Sequence, residues 1–201
     1  MSKPELFIVE SLKFEDEREK LYEGRIISEI LALSGKTCEY YYIRTKRELK
    51  EILKTFSASK YRYLHLSCHG NANSMATTLD SIPFSELGPL IGPYLDRRRL
   101  FVSACSMTNA ALAKAIMPDS GCYSILGPDQ KIGFSDAAVL WASFYHVMFT
   151  TDSEAMKYDI IKAKAQEVSE MYRVKLTLIR HSKSSSKKYR LRTILPRKKS
   201  G

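Results

Sequence analysis

Apolar residues along the chain fall into short continuous runs, separated by stretches in which they recur at helical spacing. The runs predict buried strands at residues 6–10, 38–43, 61–68, 99–105 and 122–126. The stretches between and after them predict helices at residues 15–33, 46–56, 109–117, 135–149 and 154–172, with a short, interrupted helix within 85–94. Because strands alternate with helices, the pattern predicts an α/β fold built on a mostly parallel sheet.

Two polar segments interrupt this pattern. Residues 71–84 predict a loop. Residues 182–188 read Ser-Lys-Ser-Ser-Ser-Lys-Lys, and the segments on either side of them either pair as a β-hairpin or remain loose. We therefore expect one domain over residues 1–172, followed by a basic C-terminal tail or hairpin over 173–201.

Charge is concentrated in that tail. The 201-residue chain has 32 basic and 22 acidic residues, a net charge of +10. The last acidic residue is Glu170, and 11 basic residues follow it, so residues 1–172 are close to neutral. The tail is therefore a candidate contact for nucleic acid, an acidic protein or an anionic membrane surface. The alternative is a solvated appendage that promotes solubility.

The sequence shows no membrane-spanning or secretory segment. Its longest nearly uncharged stretch, residues 137–150, is too short to cross a bilayer and contains Ser143 and His146. The N-terminus lacks a secretory apolar region, so we expect a cytoplasmic protein. The four cysteines form no C-x-x-C pair and no disulfide framework, which indicates reduced thiols. We expect no cofactor.

Candidate chemistry lies where the predicted strands end. In parallel α/β sheets, reactive groups gather outside the carboxyl ends of the strands. His69 and Gly70 end the third predicted strand, and Cys105 ends the fourth. If these strands are neighbours, a thiol nucleophile and an imidazole base lie together. Cys105 also shortly precedes a helix capped by Asn109, and a helix N-terminus favours the thiolate.

The other histidines and thiols near these strands favour structural roles. Cys38, Cys68 and Cys122 are expected to be core thiols, because free cysteine is mostly buried. His65 lies within a strand. A metal site built from His65, Cys68 and His69 is disfavoured, because alternation along a strand places these side chains on opposite faces.

Three segments resemble caspase-like cysteine peptidases of the CHAT-domain type, a group that includes caspases, metacaspases, gingipains and separase. They are Tyr63–Gly70, which ends in His-Gly, then Leu100–Cys105, which ends in Ala-Cys, and the helix from Ala137-Ala138 to Phe144-Tyr145. The order of these segments agrees with the group, and the resemblance covers roughly residues 6–150.

The resemblance implies a three-layer α/β/α sandwich and a Cys–His dyad. Cys105 would be the nucleophile, His69 the general base and acid, and the N–H groups of Gly70 and Cys105 the oxyanion hole. No third residue is required to orient the histidine. The implied function is a cysteine endopeptidase that cuts a protein substrate through a thioester. Members often act as regulated prokaryotic effectors in immunity or cell death, which implies an activating partner or self-association.

The sequence departs from the group's pattern around the cysteine. Ser106-Met-Thr-Asn109 follows Cys105 where many members have Ser-Gly, and Ser103-Ala104 precedes it where metacaspases place an aspartate. The preference for a basic substrate residue therefore lacks its usual support.

Other charged residues at predicted strand ends are candidates for the substrate pocket. Glu10 and Asp129 would favour a basic substrate residue, whereas Arg44 would favour an acidic one. Ordinary rim charges are the alternative explanation for all three. Two other functions also stay open: a catalytically silent binding module, and binding of nucleic acid through the tail.

Overall fold

The computed structural model describes residues 3–197, which form nine strands and seven α-helices. The strands are β1 (Lys3–Ser11), β2 (Cys38–Tyr42), β3 (Tyr61–Gly70), β4 (Ser74–Ala76), β5 (Ser81–Pro83), β6 (Arg99–Ser103), β7 (Ser124–Pro128), β8 (Leu176–His181) and β9 (Tyr189–Ile194). The helices are α1 (Phe14–Arg18), α2 (Glu23–Leu33), α3 (Lys46–Ser59), α4 (Phe84–Ile91), α5 (Ala110–Ser120), α6 (Phe134–Thr151) and α7 (Tyr158–Tyr172). A short 3-10 helix, Gly92–Tyr94, follows α4.

The main sheet has the strand order β2-β1-β3-β6-β7-β8-β9. The first five strands pair in parallel, and β8 and β9 add an antiparallel edge. The parallel strands read as near-continuous apolar runs because helices cover both of their faces. The predicted α/β fold with a mostly parallel sheet is confirmed.

Two hydrophobic cores lie on opposite faces of this sheet. One contains side chains of α3, α4 and α5, including Leu53, Leu87 and Leu112. The other contains side chains of α2, α6 and α7, with Trp141 and Tyr145 fully buried in it. Helices therefore form the outer layers of a three-layer α/β/α sandwich.

Three local predictions were wrong. The single helix expected over 15–33 is two helices, because the chain between α1 and α2 turns at Lys20, which has a left-handed φ of 59°. The expected loop over 71–84 contains the hairpin β4–β5, which pairs with the end of β3. Helix α7 starts later than expected, because the Asp152 carboxylate accepts the N–H groups of Ala155 and Lys157 and holds a turn there.

The basic segment after residue 172 continues the main sheet. Its strands β8 and β9 pair as a hairpin, and β8 lies antiparallel to β7. Leu176 and Leu178 of β8 are fully buried in the core shared with α6 and α7. Of the two alternatives for the flanking segments, the hairpin is the one that forms. Residues 198–201 of the tail lie outside the described range.

Over residues 3–197, no helix has both the length and the apolar content needed to cross a membrane.

Candidate active site

The ends of β3 and β6 bring the two predicted reactive residues to one edge of the sheet. These strands are adjacent and parallel, and their last paired residues are Ser67 and Ser103. His69 and Cys105 each lie two residues further along. Both line a small cleft of about 50 Å³ that is closed by the loop before α6. The expectation that the two strands are neighbours is confirmed.

The Cys105 thiol is half-buried and points at the loop that closes the cleft. Its Sγ donates a hydrogen bond to the Ile132 carbonyl oxygen over 3.6 Å. Among the described contacts no hydrogen bond joins Sγ to the His69 ring. The described hydrogen bond of the thiol is therefore to the closing loop and not to the imidazole.

The turn after Cys105 places a residue with a side chain in a left-handed backbone conformation. Ser106 adopts a left-handed φ of 55°, a conformation that is costly for a residue with a side chain. The Ser106 carbonyl accepts from Asn109 Nδ2 over 2.9 Å, and Asn109 Oδ1 accepts the N–H groups of Ala111 and Leu112. Asn109 thus caps α5 and closes the loop behind Cys105, and the predicted N-cap is confirmed.

The other three thiols are less available for reaction than Cys105. Burial raises the pKa of Cys38 and of Cys122 to about 12. Burial and then the nearby Glu23 carboxylate raise the pKa of Cys68. Because the thiolate is the nucleophilic form, these three residues are inert near neutral pH.

A carboxylate that the sequence did not predict holds the imidazole. His69 Nε2 lies 2.6 Å from Asp16 Oδ2 on α1, with both side chains mostly buried, at 29% and 17% exposure. The edge of the His69 ring meets the Phe134 ring at 5.5 Å between centroids. Asp16 was missed because the pattern predicted one long helix, whereas the break after α1 folds this carboxylate back over the end of β3.

The strand pairing turns the N–H of Gly70 away from β4. The Asn71 N–H donates to the Ser74 carbonyl, so residues 71 and 74 form a hydrogen-bonded antiparallel pair. Hydrogen-bonded and non-bonded pairs alternate, so the Gly70 N–H points away from β4. A Cβ at Gly70 would lie 2.9 Å from Met107 Sδ and 3.2 Å from Ala104 Cβ, which shows how closely this backbone approaches the loop carrying Cys105.

The Cys105 N–H makes no backbone hydrogen bond within residues 3–197. Two backbone donors, at positions 70 and 105, are therefore available beside the thiol. That is the pair of groups an oxyanion hole requires.

A second unpredicted acid, Glu23, lies in the cleft at the start of α2. It is only 4% exposed, and its Oε2 accepts the hydroxyls of Ser67 and Ser103 over 3.2 and 2.9 Å. Its Oε1 has no hydrogen-bond partner in the described part of the chain and lies 3.7 Å from His65 Nε2. Glu23 thus lines the cleft with a carboxylate whose Oε1 is shielded from solvent and faces the buried His65 ring.

Glu10 is fully buried beneath the site rather than lining the cleft. Its carboxylate accepts the Gly24 N–H over 2.7 Å, the Arg25 N–H over 3.3 Å and the Tyr40 hydroxyl over 2.8 Å. Burial raises the pKa of Glu10, although these hydrogen bonds oppose the shift. Glu10 therefore caps the N-terminus of α2.

The other two predicted pocket charges also lie away from the cleft lining. Arg44 pairs with Glu17 over 2.6 Å, and Asp129 pairs with Lys175 over 2.9 Å. His65, expected to be structural, is fully buried and lies 2.8 Å from the Tyr145 hydroxyl through Nδ1.

Comparison with known proteins agrees with this architecture. Among solved structures, the chain is similar to iotapain, a secreted C11 cysteine protease from Bacteroides thetaiotaomicron, with a TM-score of 0.54. The match has 10% sequence identity and covers 90% of this chain and 67% of that chain. The fold is caspase-like. At this identity the likeness concerns the fold alone, and the sequence matches no protein-family model and no curated protein.

The environment of the thiols predicts selective alkylation. With limiting iodoacetamide at pH 8, we expect Cys105 to be modified at least about 100 times faster than Cys38, because a thiol of pKa about 12 is ionised in only about one molecule in 10⁴. Peptide mass spectrometry after digestion gives the rate for each residue. Equal labelling of Cys38, the other half-buried thiol, would contradict this expectation.

The contact between Asp16 and His69 predicts a dependence of thiol reactivity on this carboxylate. In Asp16→Asn we expect labelling of Cys105 at pH 7 to slow about tenfold, because the amide lacks the charge that strengthens the hydrogen bond to the imidazole and holds the ring. Asp16→Glu should restore part of the rate. The matched control is Glu15→Gln, an exposed acid on the same helix, which should label at the wild-type rate. An unchanged labelling rate in Asp16→Asn, or a loss that Asp16→Glu does not restore, would contradict the positioning role.

Proposed function

We propose that this protein is a cysteine endopeptidase, of the CHAT type within the caspase-like group, that uses Cys105 and His69 as a dyad. The observation that carries the proposal is the placement of both side chains at the ends of adjacent parallel strands, lining one cleft, in a caspase-like fold. The inert environments of the other thiols support Cys105 as the nucleophile.

The proposed reaction begins when Sγ leaves the Ile132 carbonyl and transfers its proton to the imidazole of His69. The thiolate attacks the substrate carbonyl carbon, and the N–H groups of Gly70 and Cys105 bind the resulting oxyanion. The imidazolium then protonates the leaving amine, which releases the C-terminal product and leaves a thioester. Water, deprotonated by His69, hydrolyses the thioester and restores the thiol.

In this scheme Asp16 is a positioning residue. Its carboxylate accepts from His69 Nε2, so Nδ1 would be the ring nitrogen that takes the thiol proton. The Asp16 carboxylate would then orient the imidazole of the dyad, although the resemblance requires no third residue.

Glu23 supports a preference for a basic substrate residue. Its buried carboxylate lies in the same cleft as Cys105, and one of its oxygens lacks a hydrogen-bond partner among the described residues. Removing a charged oxygen from water is costly unless a donor replaces the lost hydrogen bonds. A lysine or arginine side chain of the substrate would supply such a donor when movement of the loop at Ile132–Phe134 exposes the carboxylate. In this proposal Glu23, rather than Glu10 or Asp129, supplies the acidic group that favours a basic substrate residue.

The small size of the cleft supports control by an activator. Ligand sites commonly enclose about 300–1,000 Å³, far more than the roughly 50 Å³ beside Cys105. Opening would require the loop at Ile132–Phe134 to move, which would also release Sγ from its carbonyl partner. Activation by a partner or by self-association, cytoplasmic location and an effector role in prokaryotic immunity belong to this proposal through the resemblance.

Cleavage profiling tests the reaction itself. We expect the wild-type chain to cut members of a peptide library, and Cys105→Ala or His69→Ala to lose at least about 10³-fold in rate, since each removes a reacting group. Cys38→Ala is the matched control, because that thiol is half-buried but outside the cleft. Cleavage that survives in Cys105→Ala would refute the assignment of the nucleophile.

The same library tests the role of Glu23. In Glu23→Gln we expect kcat/KM for substrates cut after lysine or arginine to fall about 10- to 100-fold relative to substrates cut after neutral residues, because an interaction between buried charges is lost. Glu29→Gln, an exposed acid on the same helix, is the control. An equal loss for basic and neutral substrates, at an unchanged melting temperature, would contradict the preference.

A further inference from the structure

A second cavity lies at the end of the sheet opposite to the cleft. Its volume is about 630 Å³, and it is formed where β3 and β6 begin and by the loop between α6 and α7. Arg62 of β3 lines this cavity, and His69 lies seven residues further along the same strand. At about 3.3 Å per residue, the cavity is roughly 23 Å from the imidazole. It is therefore a separate site.

The lining of this cavity is strongly cationic. Its six basic residues are Lys60, Arg62, Arg97, Arg98, Arg99 and Lys157. Asp96 is the one acid among the lining residues, and it contacts Arg97 in an exposed pair that contributes little energy. The cavity thus keeps a large excess of positive charge, which an anion would neutralise.

Contacts with backbone carbonyls and with an aromatic ring hold arginines of this cavity in place. Arg98 donates to the carbonyls of Phe56 and Ser57 over 3.0 and 3.2 Å and lies over the Phe56 ring. Arg62 donates to the Glu154 carbonyl. Ordered guanidinium groups lose little freedom when they bind a ligand, so such an arrangement favours recognition of an anion.

Arg99 gives the independent sign of a missing partner. Its Nη1 donates to Ser124 Oγ over 2.9 Å, but its Nε is buried and has no hydrogen-bond acceptor in the described part of the chain. Burial lowers the pKa of both Arg98 and Arg99, and Asp96 opposes the shift at Arg98. An oxyanion bound in the cavity would supply a counter-charge to both guanidinium groups.

We propose that this cavity binds a small molecule that carries two or more phosphate groups. Guanidinium forks match phosphate oxygens in pairs, and several cations within one cavity favour several phosphates over one. The volume is typical of a small-molecule site. Tyr123, which is 45% exposed in the lining, offers a ring surface beside the Arg99 guanidinium, so a nucleoside polyphosphate is within the class of ligand.

Thermal unfolding of the Cys105→Ala protein tests this proposal without any need for catalysis, so it is independent of the peptidase function. The probes are inorganic tripolyphosphate, ATP and a single-stranded oligonucleotide. At about 100 times its Kd, tripolyphosphate or ATP should raise Tm by about 5 to 10 °C. The shift should shrink with added salt, because screening weakens the contacts between charges.

Charge-neutralising variants locate the site. We expect the triple variant Lys60→Gln, Arg97→Gln and Lys157→Gln, all exposed positions in the cavity, to abolish the shift. The matched control Arg47→Gln, Lys50→Gln and Lys183→Gln removes the same charge from exposed positions elsewhere and should keep the shift. The proposal is overturned by an equal shift in both triples, by no shift in the parent with either polyphosphate, or by a response to the oligonucleotide alone.

Discussion

The parallel pairing of β3 with β6 is the constraint on which the candidate active site depends. Both strands are buried on both faces. A slip of one residue in their pairing would turn each side chain toward the opposite core, and the cost of repacking both cores opposes it. The observed register ends at Ser67 and Ser103. It places His69 and Cys105 at equal distances beyond the last pair. Core packing, rather than a direct contact between thiol and imidazole, thus brings both side chains to the same edge of the sheet.

Buried polar side chains connect the sheet to helix α2 and so position the cleft. Glu10 on β1 accepts backbone N–H groups at the start of α2, and Gly24 allows the approach, since a Cβ there would lie 2.8 Å from Ile8. The helix begins with Glu23, so capping by one carboxylate positions the other beside Cys105. Ser67 donates to both acids. Burial of Glu10 is unfavourable and raises its pKa. The same burial fixes the start of α2 and so places the Glu23 carboxylate in the cleft.

Local sequence patterns predict the strands and the residues at their ends. They do not predict contacts between residues that are distant in the chain. Apolar runs locate β1, β3 and β6, and their ends indicate His69 and Cys105. The carboxylates Asp16 and Glu23 escape because they lie near a turn at Lys20 that the helical spacing hides. Glu10 was predicted as a substrate-pocket candidate, with a rim charge as the alternative, because it ends an apolar run, yet β1 continues to Ser11 and α2 covers it. A position at a strand end predicts proximity to the site but not exposure.

Charge shows the same difference between chain order and space. Counting by segment makes residues 1–172 nearly neutral and assigns the excess to the tail. In the fold, three separate stretches of that neutral part, at residues 60–62, 97–99 and 157, converge at the amino ends of β3 and β6. Asp96 is the one acid among the lining residues of that cavity, whereas Glu10 and Glu23 lie at the opposite end of the sheet. The same strands therefore have buried acids near the thiol at one end and a basic cavity at the other. The near-zero net charge of residues 1–172 does not indicate either feature.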